Sequence, residues 1–170
     1  AATERFQFVE VYTNGTALTE SLLDELAEKS VQIAVSIYSL KSEEHDAVTR
    51  RRGSGARTIQ NVKKALERGI PVRASIIQTD WNGSVDFQAL AADLKGLGIA
   101  DVGFDRVRAV GRGQTNRSRI GTVPENAVCG GCLNQRLCAS YDGLFYPCIM
   151  SKFAPLGRVE DGMNSALTFK

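Results

Sequence analysis

The chain has 170 residues, 43% apolar and 24% charged, with a formal net charge of +2, so it can bury a core without covalent staples. So small a net charge gives no reason to expect a nucleic-acid partner. No run approaches the roughly 18 apolar residues of a membrane span and no secretion signal opens the chain, so a cytoplasmic protein with no membrane partner is expected.

Strand and helix patterns alternate through the first hundred residues. FQFVEVY (6–12) is β-branched and aromatic and reads as a strand. After the TNGT turn a helix starts near Thr19, a plausible N-cap, with Leu22, Leu23 and Leu26 on one face. VQIAVSI (31–37) is apolar almost throughout, as a strand covered on both faces should be. A long polar loop, YSLKSEEHDAVTRRRGSG, is expected next. His45, the only histidine, falls within it, and a locally bonded helix-start residue is favoured there over a catalytic base.

ARTIQNVKKALER then forms a helix with Ile59, Val62 and Leu66 on one stripe, stopping at Gly69. PVRASII (71–77) is the third strand. Trp81 beyond it either lines a pocket or covers the sheet end. VDFQALAADLKGL is the next helix, with Ser84 as N-cap and Phe87, Leu90, Ala91, Leu94 and Leu97 facing inward. DVGFDRVRAV (101–110) is the fourth strand. This alternation implies an α/β fold of parallel strands joined by right-handed crossovers.

In such a fold, ligands sit at the C-terminal strand ends. Thr13, Asn14, Ser36, Ser39, the HDAVTRRR loop, Gln78 and Gly111–Gly113 all fall there, although GRG is too short to read as a phosphate loop. Two arginine groups, Arg50, Arg51, Arg52 and Arg57, and Arg106, Arg108, Arg112, Arg117 and Arg119, either face an anion or are solvated. The pattern breaks after Val110. Residues 113–127 read as a linker between a 1–112 domain and a cysteine-rich 128–170 subdomain. The tail offers one apolar hairpin and a weak final helix.

All four cysteines lie in CGGCLNQRLCASYDGLFYPC, as Cys129, Cys132, Cys138 and Cys148. Gly130 and Gly131 suit the turn of a CxxC pair, and Asp142-Gly143 marks a hairpin turn that could return Cys148 toward the others. Tyr141 and Tyr146 flank that turn as hairpin packing. A four-thiolate iron–sulfur cluster, a structural zinc and disulfides or free thiols all stay open, the last disfavoured by a reducing compartment.

The segment RLCASYDGLFYPC resembles the auxiliary-cluster region of radical S-adenosylmethionine enzymes of the SPASM and twitch type. Upstream, VEVYTNGTALTESLLDEL resembles the third strand and helix of their partial (β/α) barrel. The run from VSIYSL to RASII resembles the fourth strand through the fifth, and DRVRAVGRG the sixth. The resemblance implies a partial barrel followed by a twitch-like subdomain, and a part in modifying a substrate with S-adenosylmethionine and iron–sulfur clusters.

By resemblance, Ser36 lies near the cofactor's ribose, and Ser39 with Arg50 or Arg51 near its polar end. Asn14 on the rim is grouped with them as cofactor-binding. The four cysteines would hold an auxiliary [4Fe–4S] cluster, with zinc as the alternative metal. A ribosomally made peptide or a small molecule is the implied substrate, a reductant protein the implied partner. No catalytic residue can be named.

The chain lacks the CxxxCxxC loop of these enzymes, and the resemblance implies that alone it does not cleave S-adenosylmethionine. The 6–12 strand, with Glu10 as its only charge, would be an unprotected edge, so a fragment that pairs with a missing N-terminal barrel segment is expected. The competing reading is a truncated, non-catalytic relative acting as a metal-binding scaffold.

Overall fold

The computed structural model describes residues 2–79, 82–107 and 137–167. They fall in two compact units, Ala1–Val107 and Arg108–Lys170. In the first, the elements run β1 (Glu10–Thr13), α1 (Glu20–Glu28), β2 (Gln32–Ile37), α2 (Ser42–Thr49), α3 (Ser54–Glu67), β3 (Val72–Gln78), α4 (Phe87–Gly96) and β4 (Asp101–Arg106). The four strands form one parallel sheet in the order β1-β2-β3-β4, the α/β arrangement expected from the alternation.

Thr19 caps α1 as anticipated, its side chain accepting from the Leu22 N–H. Three local expectations change. β1 begins at Glu10, leaving Phe6 and Phe8 exposed ahead of it. The register explains this: Glu10 pairs with Gln32, and upstream of Val31 the neighbouring chain is already turning, with Ser30 at φ 52°. The cap of α4 is Asp86, whose carboxylate accepts from the Gln88 and Ala89 N–H groups at 3.0 Å, and not Ser84. The polar loop after β2 contains a full helix, α2, with His45 in its interior and buried.

The core lies between one face of the sheet and the helices. Ile33, Val35 and Ile37 of β2 and Val72, Ala74 and Ile76 of β3 meet Leu23, Leu26, Val62, Ala65, Leu90 and Leu94. Leu22, expected to face inward, is 38% exposed. Each fully buried aliphatic side chain here contributes about 1.5–3 kcal/mol relative to exposure. That anchors the sheet and frees its other face and its C-terminal edge for polar groups.

The second unit holds an antiparallel sheet in the order β5-β6-β7, with β5 (Cys138–Ala139), β6 (Leu144–Tyr146) and β7 (Gly157–Arg158), followed by α5 (Met163–Leu167). Phe145, Leu156 and Ala166 form its small core. The Asp142-Gly143 turn joins β5 to β6 as the sequence suggests. The Asp142 carboxylate there accepts from the Leu144 N–H at 3.2 Å and the Tyr146 hydroxyl at 2.9 Å. Among the described residues no helix is long and apolar enough to cross a membrane.

Candidate functional site

The face of the sheet turned away from the helix-packed core is polar. Side chains alternate along a strand, so Ile33, Val35 and Ile37 go to the core while Gln32 and Ser36 go to the opposite face. Register places Glu10 beside Gln32, Tyr12 beside Ala34, Ala34 in turn beside Arg73, and Ser36 beside Ser75. Arg73 donates to Glu10 through both Nε, at 2.9 Å, and a terminal nitrogen. The same nitrogen donates to the Tyr12 hydroxyl at 2.6 Å, and the guanidinium lies 5.2 Å from the Tyr12 ring centroid. Hydrogen bonding from Arg73 is the main cause that holds the Glu10 carboxyl below its usual range. Tyr12 is thereby fixed with most of its surface open, at the edge of a cleft.

That cleft, of about 380 Å³, opens over the C-terminal ends of β1, β2 and β3 and is lined by residues between Tyr12 and Ser75. The turn after β1 forms one wall. Asn14 Oδ1 accepts from the Thr16 N–H at 3.0 Å and the Thr16 hydroxyl at 2.8 Å. Gly15 stands at φ +73°, a conformation side chains rarely adopt, with Thr58 directly against it. Two side chains of α3 pin this turn: Thr58 Oγ1 donates to the Asn14 carbonyl at 2.8 Å, and Asn61 Nδ2 to the Gly15 carbonyl at 2.7 Å.

The α2–α3 hairpin forms the facing wall. The Asp46 carboxylate accepts from the N–H groups of Gly53 and Gly55, the latter at 2.8 Å, and from the Ser54 hydroxyl at 2.9 Å. These bonds, the Gly55 N–H foremost, hold its carboxyl below the ordinary value. They also occupy the N–H of the N-cap Gly53 and one free N–H, that of Gly55, in the first turn of α3. Thr49 and Ser54 share a 2.6 Å hydrogen bond. His45 is 2% exposed and meets Tyr38 edge-on, ring centroids 5.2 Å apart. Its Nδ1 has no hydrogen-bond partner among the described residues.

Asn82 ties the end of β3 to the chain that leaves β2. It is 1% exposed, donates to the carbonyls of Tyr38 at 3.1 Å and Ile77 at 2.9 Å, and accepts from the Thr79 N–H and hydroxyl. All four hydrogen-bonding positions of its amide are used.

Of the residues expected from the sequence, Thr13, Asn14 and Ser36 line the cleft, with His45, Thr49 and Arg51 of the HDAVTRRR loop. Among the described residues, Arg51 is the one lining residue with a full charge. Arg50 is not on the cleft; it ends α2 in the left-handed region at φ 55°. Ser39 is buried and is not on the cleft lining, donating to Glu44 at 2.6 Å and accepting from the Lys41 N–H at 3.0 Å. Trp81, Gly111–Gly113, Arg108, Arg112, Arg117 and Arg119, and the 113–127 linker lie outside the described residues.

Sequence reasoning did not anticipate Tyr12, Tyr38, Ser54, Thr58 or Ser75 on the cleft. Ser75 was legible from strand alternation, since it follows Arg73 on the polar face. Thr58 is at the apolar stripe's edge, four residues before Val62, which was a usable signal.

Cys138 and Cys148 are each half-buried. Cys138 pairs with Tyr146 across the hairpin, placing Cys148 two residues beyond that partner. Buried Ser151 fixes the backbone at Cys148, accepting from its N–H at 2.9 Å and donating to its carbonyl at 3.0 Å. Cys129 and Cys132 lie outside the described residues.

The whole cleft falls within one matched segment. Residues 2–80 match the Radical SAM superfamily. The antilisterial bacteriocin subtilosin biosynthesis protein AlbA of Bacillus subtilis (strain 168) is 29% identical over 113 residues, 65% of this chain and 25% of that protein. Native anSMEcpe, solved with bound AdoMet and the Kp18Cys peptide, superposes with a TM-score of 0.68 at 14% identity, over 96% of this chain and 57% of that one. Streptococcus suis SuiB bound to S-adenosylmethionine gives a TM-score of 0.53 at 15% identity, over 95% and 48%. The chain thus spans a quarter of the curated relative it matches and about half of these solved chains, and the structural likenesses establish a shared fold.

Proposed function

We propose that this chain is the part of a radical S-adenosylmethionine enzyme that holds the cofactor on the strand-end rim and an auxiliary iron–sulfur cluster in the cysteine-rich unit. The observation that carries it is the cleft at the ends of β1–β3, lying wholly inside the segment matched to the Radical SAM superfamily. A fit to the cofactor is supported by its lining. A cleft of about 380 Å³ is within the usual range for small-molecule sites. The hydroxyls of Ser36, Ser75, Thr49 and Ser54 suit a polyhydroxylated ligand, and Arg51 suits a carboxylate. Bound and reduced, S-adenosylmethionine supplies the radical chemistry of such enzymes.

The chain's own residues bind and orient. Ser36 contacts the ribose and Asn14 shapes the turn beside it, while Arg51 takes the charged end. Ser39 and Arg50 serve through the placement of α2 and of Arg51. Cys138 and Cys148, with Cys129 and Cys132, hold the cluster; thiols on a backbone fixed by Ser151 suit a thiolate-bound metal. The 1–112 barrel portion and 128–170 subdomain divide these two tasks. A peptide is the favoured substrate class, because a bacteriocin biosynthesis protein and a peptide-bound structure are among the similar proteins.

Two measurements test this. Calorimetric titration of the full chain should show S-adenosylmethionine binding, weakened at least about tenfold in Arg51→Ala, as loss of a charge-assisted bond implies. Anaerobic reconstitution should give about four irons and four sulfides per chain, lost in Cys138→Ser or Cys148→Ser. Stoichiometric zinc without sulfide would instead establish the scaffold reading.

A further inference from the structure

We propose that a trough at the C-terminal ends of β3 and β4 recognises the carboxyl end of a peptide that finishes in an apolar residue. The assignment rests on reading the substrate as a peptide. It does not rest on the cofactor cleft, which shares no lining residue with the trough.

Two cavities make up the trough. One, of about 340 Å³, is lined by Ile76, Gln78, Phe87, Phe104, Asp105 and Arg106. The other, of about 300 Å³, continues it past Thr79 and Val107, and Gln78 and Arg106 belong to both. Strand register explains the grouping. Ile76 pairs with Phe104 and Gln78 with Arg106. Side chains two apart on a strand share a face, so these four stand together on the core side of the sheet.

The floor and wall are apolar. Ile76 is 1% exposed, Phe87 packs against the core, and Phe104 keeps 54% of its surface open. A ring so exposed beside a concave apolar floor gains by covering itself with an apolar side chain.

A guanidinium and a carboxamide stand at the mouth. Among the described residues neither the Arg106 guanidinium nor the Gln78 side-chain amide has a hydrogen-bond or ion-pair partner. Exposed polar groups are ordinarily solvated; what sets this pair apart is its position side by side over an apolar floor. Arginine's planar fork matches a carboxylate. A carboxamide donates and accepts, as the last backbone amide of a peptide requires. Asp105, the one acidic side chain on the lining, is turned to the main chain, where it accepts from the Arg106 N–H at 2.8 Å. Carboxylate, amide and apolar side chain occur together at a C-terminal apolar residue, whereas an internal acidic residue brings the charge without the apolar group.

Titration of the full chain, followed in proton–nitrogen spectra, tests this with three probes: N-acetyl-Ala-Ala-Leu, the same peptide ended as its amide, and isocaproate, which keeps the leucine skeleton and carboxylate but has no peptide amide. The peptide acid should shift the Gln78 side-chain signals, identified by their loss in Gln78→Ala. It should bind at least about tenfold more tightly than the peptide amide, as a charge-assisted bond implies. Arg106→Gln should abolish that preference, and Phe104→Ser should weaken binding of the acid; both side chains are exposed, so thermal midpoints should hold. Equal binding of acid and amide, a preference that survives Arg106→Gln, shifts confined to other residues, or no binding would each overturn the site. Isocaproate binding as tightly as the peptide acid would overturn the peptide reading while leaving a carboxylate site. Arg106→Gln should bind S-adenosylmethionine like wild type, so the trough and the cofactor reading fail separately.

Discussion

Arg73 on β3 reaches across β2 to grip Glu10 on β1, tying the edge strand to the middle of the sheet. The Glu10 side chain is only 11% exposed and that of Arg73 24%, so the pair is shielded better than a surface ion pair. Gln32 also donates to Glu10, at 2.7 Å.

Removing one partner strands the other. Arg73→Met should therefore lower stability by about 2 kcal/mol, read as the urea midpoint at constant m-value, and release Tyr12 from the cleft edge. The pH dependence follows from the lowered Glu10 pKa. Its contribution is complete above the ordinary value of 4.5 and is lost as pH falls through the lower native value. The stability gap between wild type and Glu10→Gln should narrow in that acid window and be full at pH 7.

Gly55→Ala should open the cleft wall. The new Cβ would meet His45 Cβ at 2.9 Å and the Ser42 backbone at 3.2 Å, and neither is a flexible side-chain tip. Overpacking of this kind costs about 1–3 kcal/mol. The variant should melt lower and bind S-adenosylmethionine more weakly, whereas Gly83→Ala, with nothing near its Cβ, should leave binding unchanged.

Asn82 admits no isostere. In Asn82→Asp, a carboxylate oxygen would face the carbonyls of Tyr38 and Ile77, where the amide nitrogen now donates. Asn82→Ala leaves those groups and the Thr79 N–H unpaired, at about 1–3 kcal/mol. Aspartate should be at least as damaging as alanine at pH 7 in thermal melts, although it is closer in shape.

His45 gives the opposite kind of titration from a surface histidine. Its native pKa is lowered by burial, so the unfolded chain takes up a proton first as pH drops below about 6.5. Stability should then fall between that pH and the lower native value. In His45→Phe this step should vanish from denaturation curves across pH 5 to 8.

The sheet was readable because strands and helices in this unit announce themselves by period: Ile33 to Ile37 and Val72 to Ile76 alternate or run apolar, and Leu90, Ala91 and Leu94 recur at helical spacing. The α2 helix was not. SEEHDAVT has little amphipathic contrast and no side-chain cap, and the bonds of Ser39 and Asp46 that hold it in place leave no trace in apolar periodicity. The rim was legible as a place, and Asn14, Ser36 and Arg51 were found there. Which of Arg50 and Arg51 lines the cleft was not, because it depends on Arg50 occupying a left-handed cap. Asn61 was hidden for a similar reason: a polar residue near a helix's apolar stripe looks like a solvated one until a turn 46 residues away is seen to need it.

Backbone hydrogen–deuterium exchange of the full chain with and without S-adenosylmethionine tests the central claim most directly. The cleft reading predicts slower exchange in segments 12–16, 34–38 and 49–58, with the outer helix 88–97 unchanged. Exchange that is unaltered across those three segments, or protection confined to other parts of the chain, would contradict it.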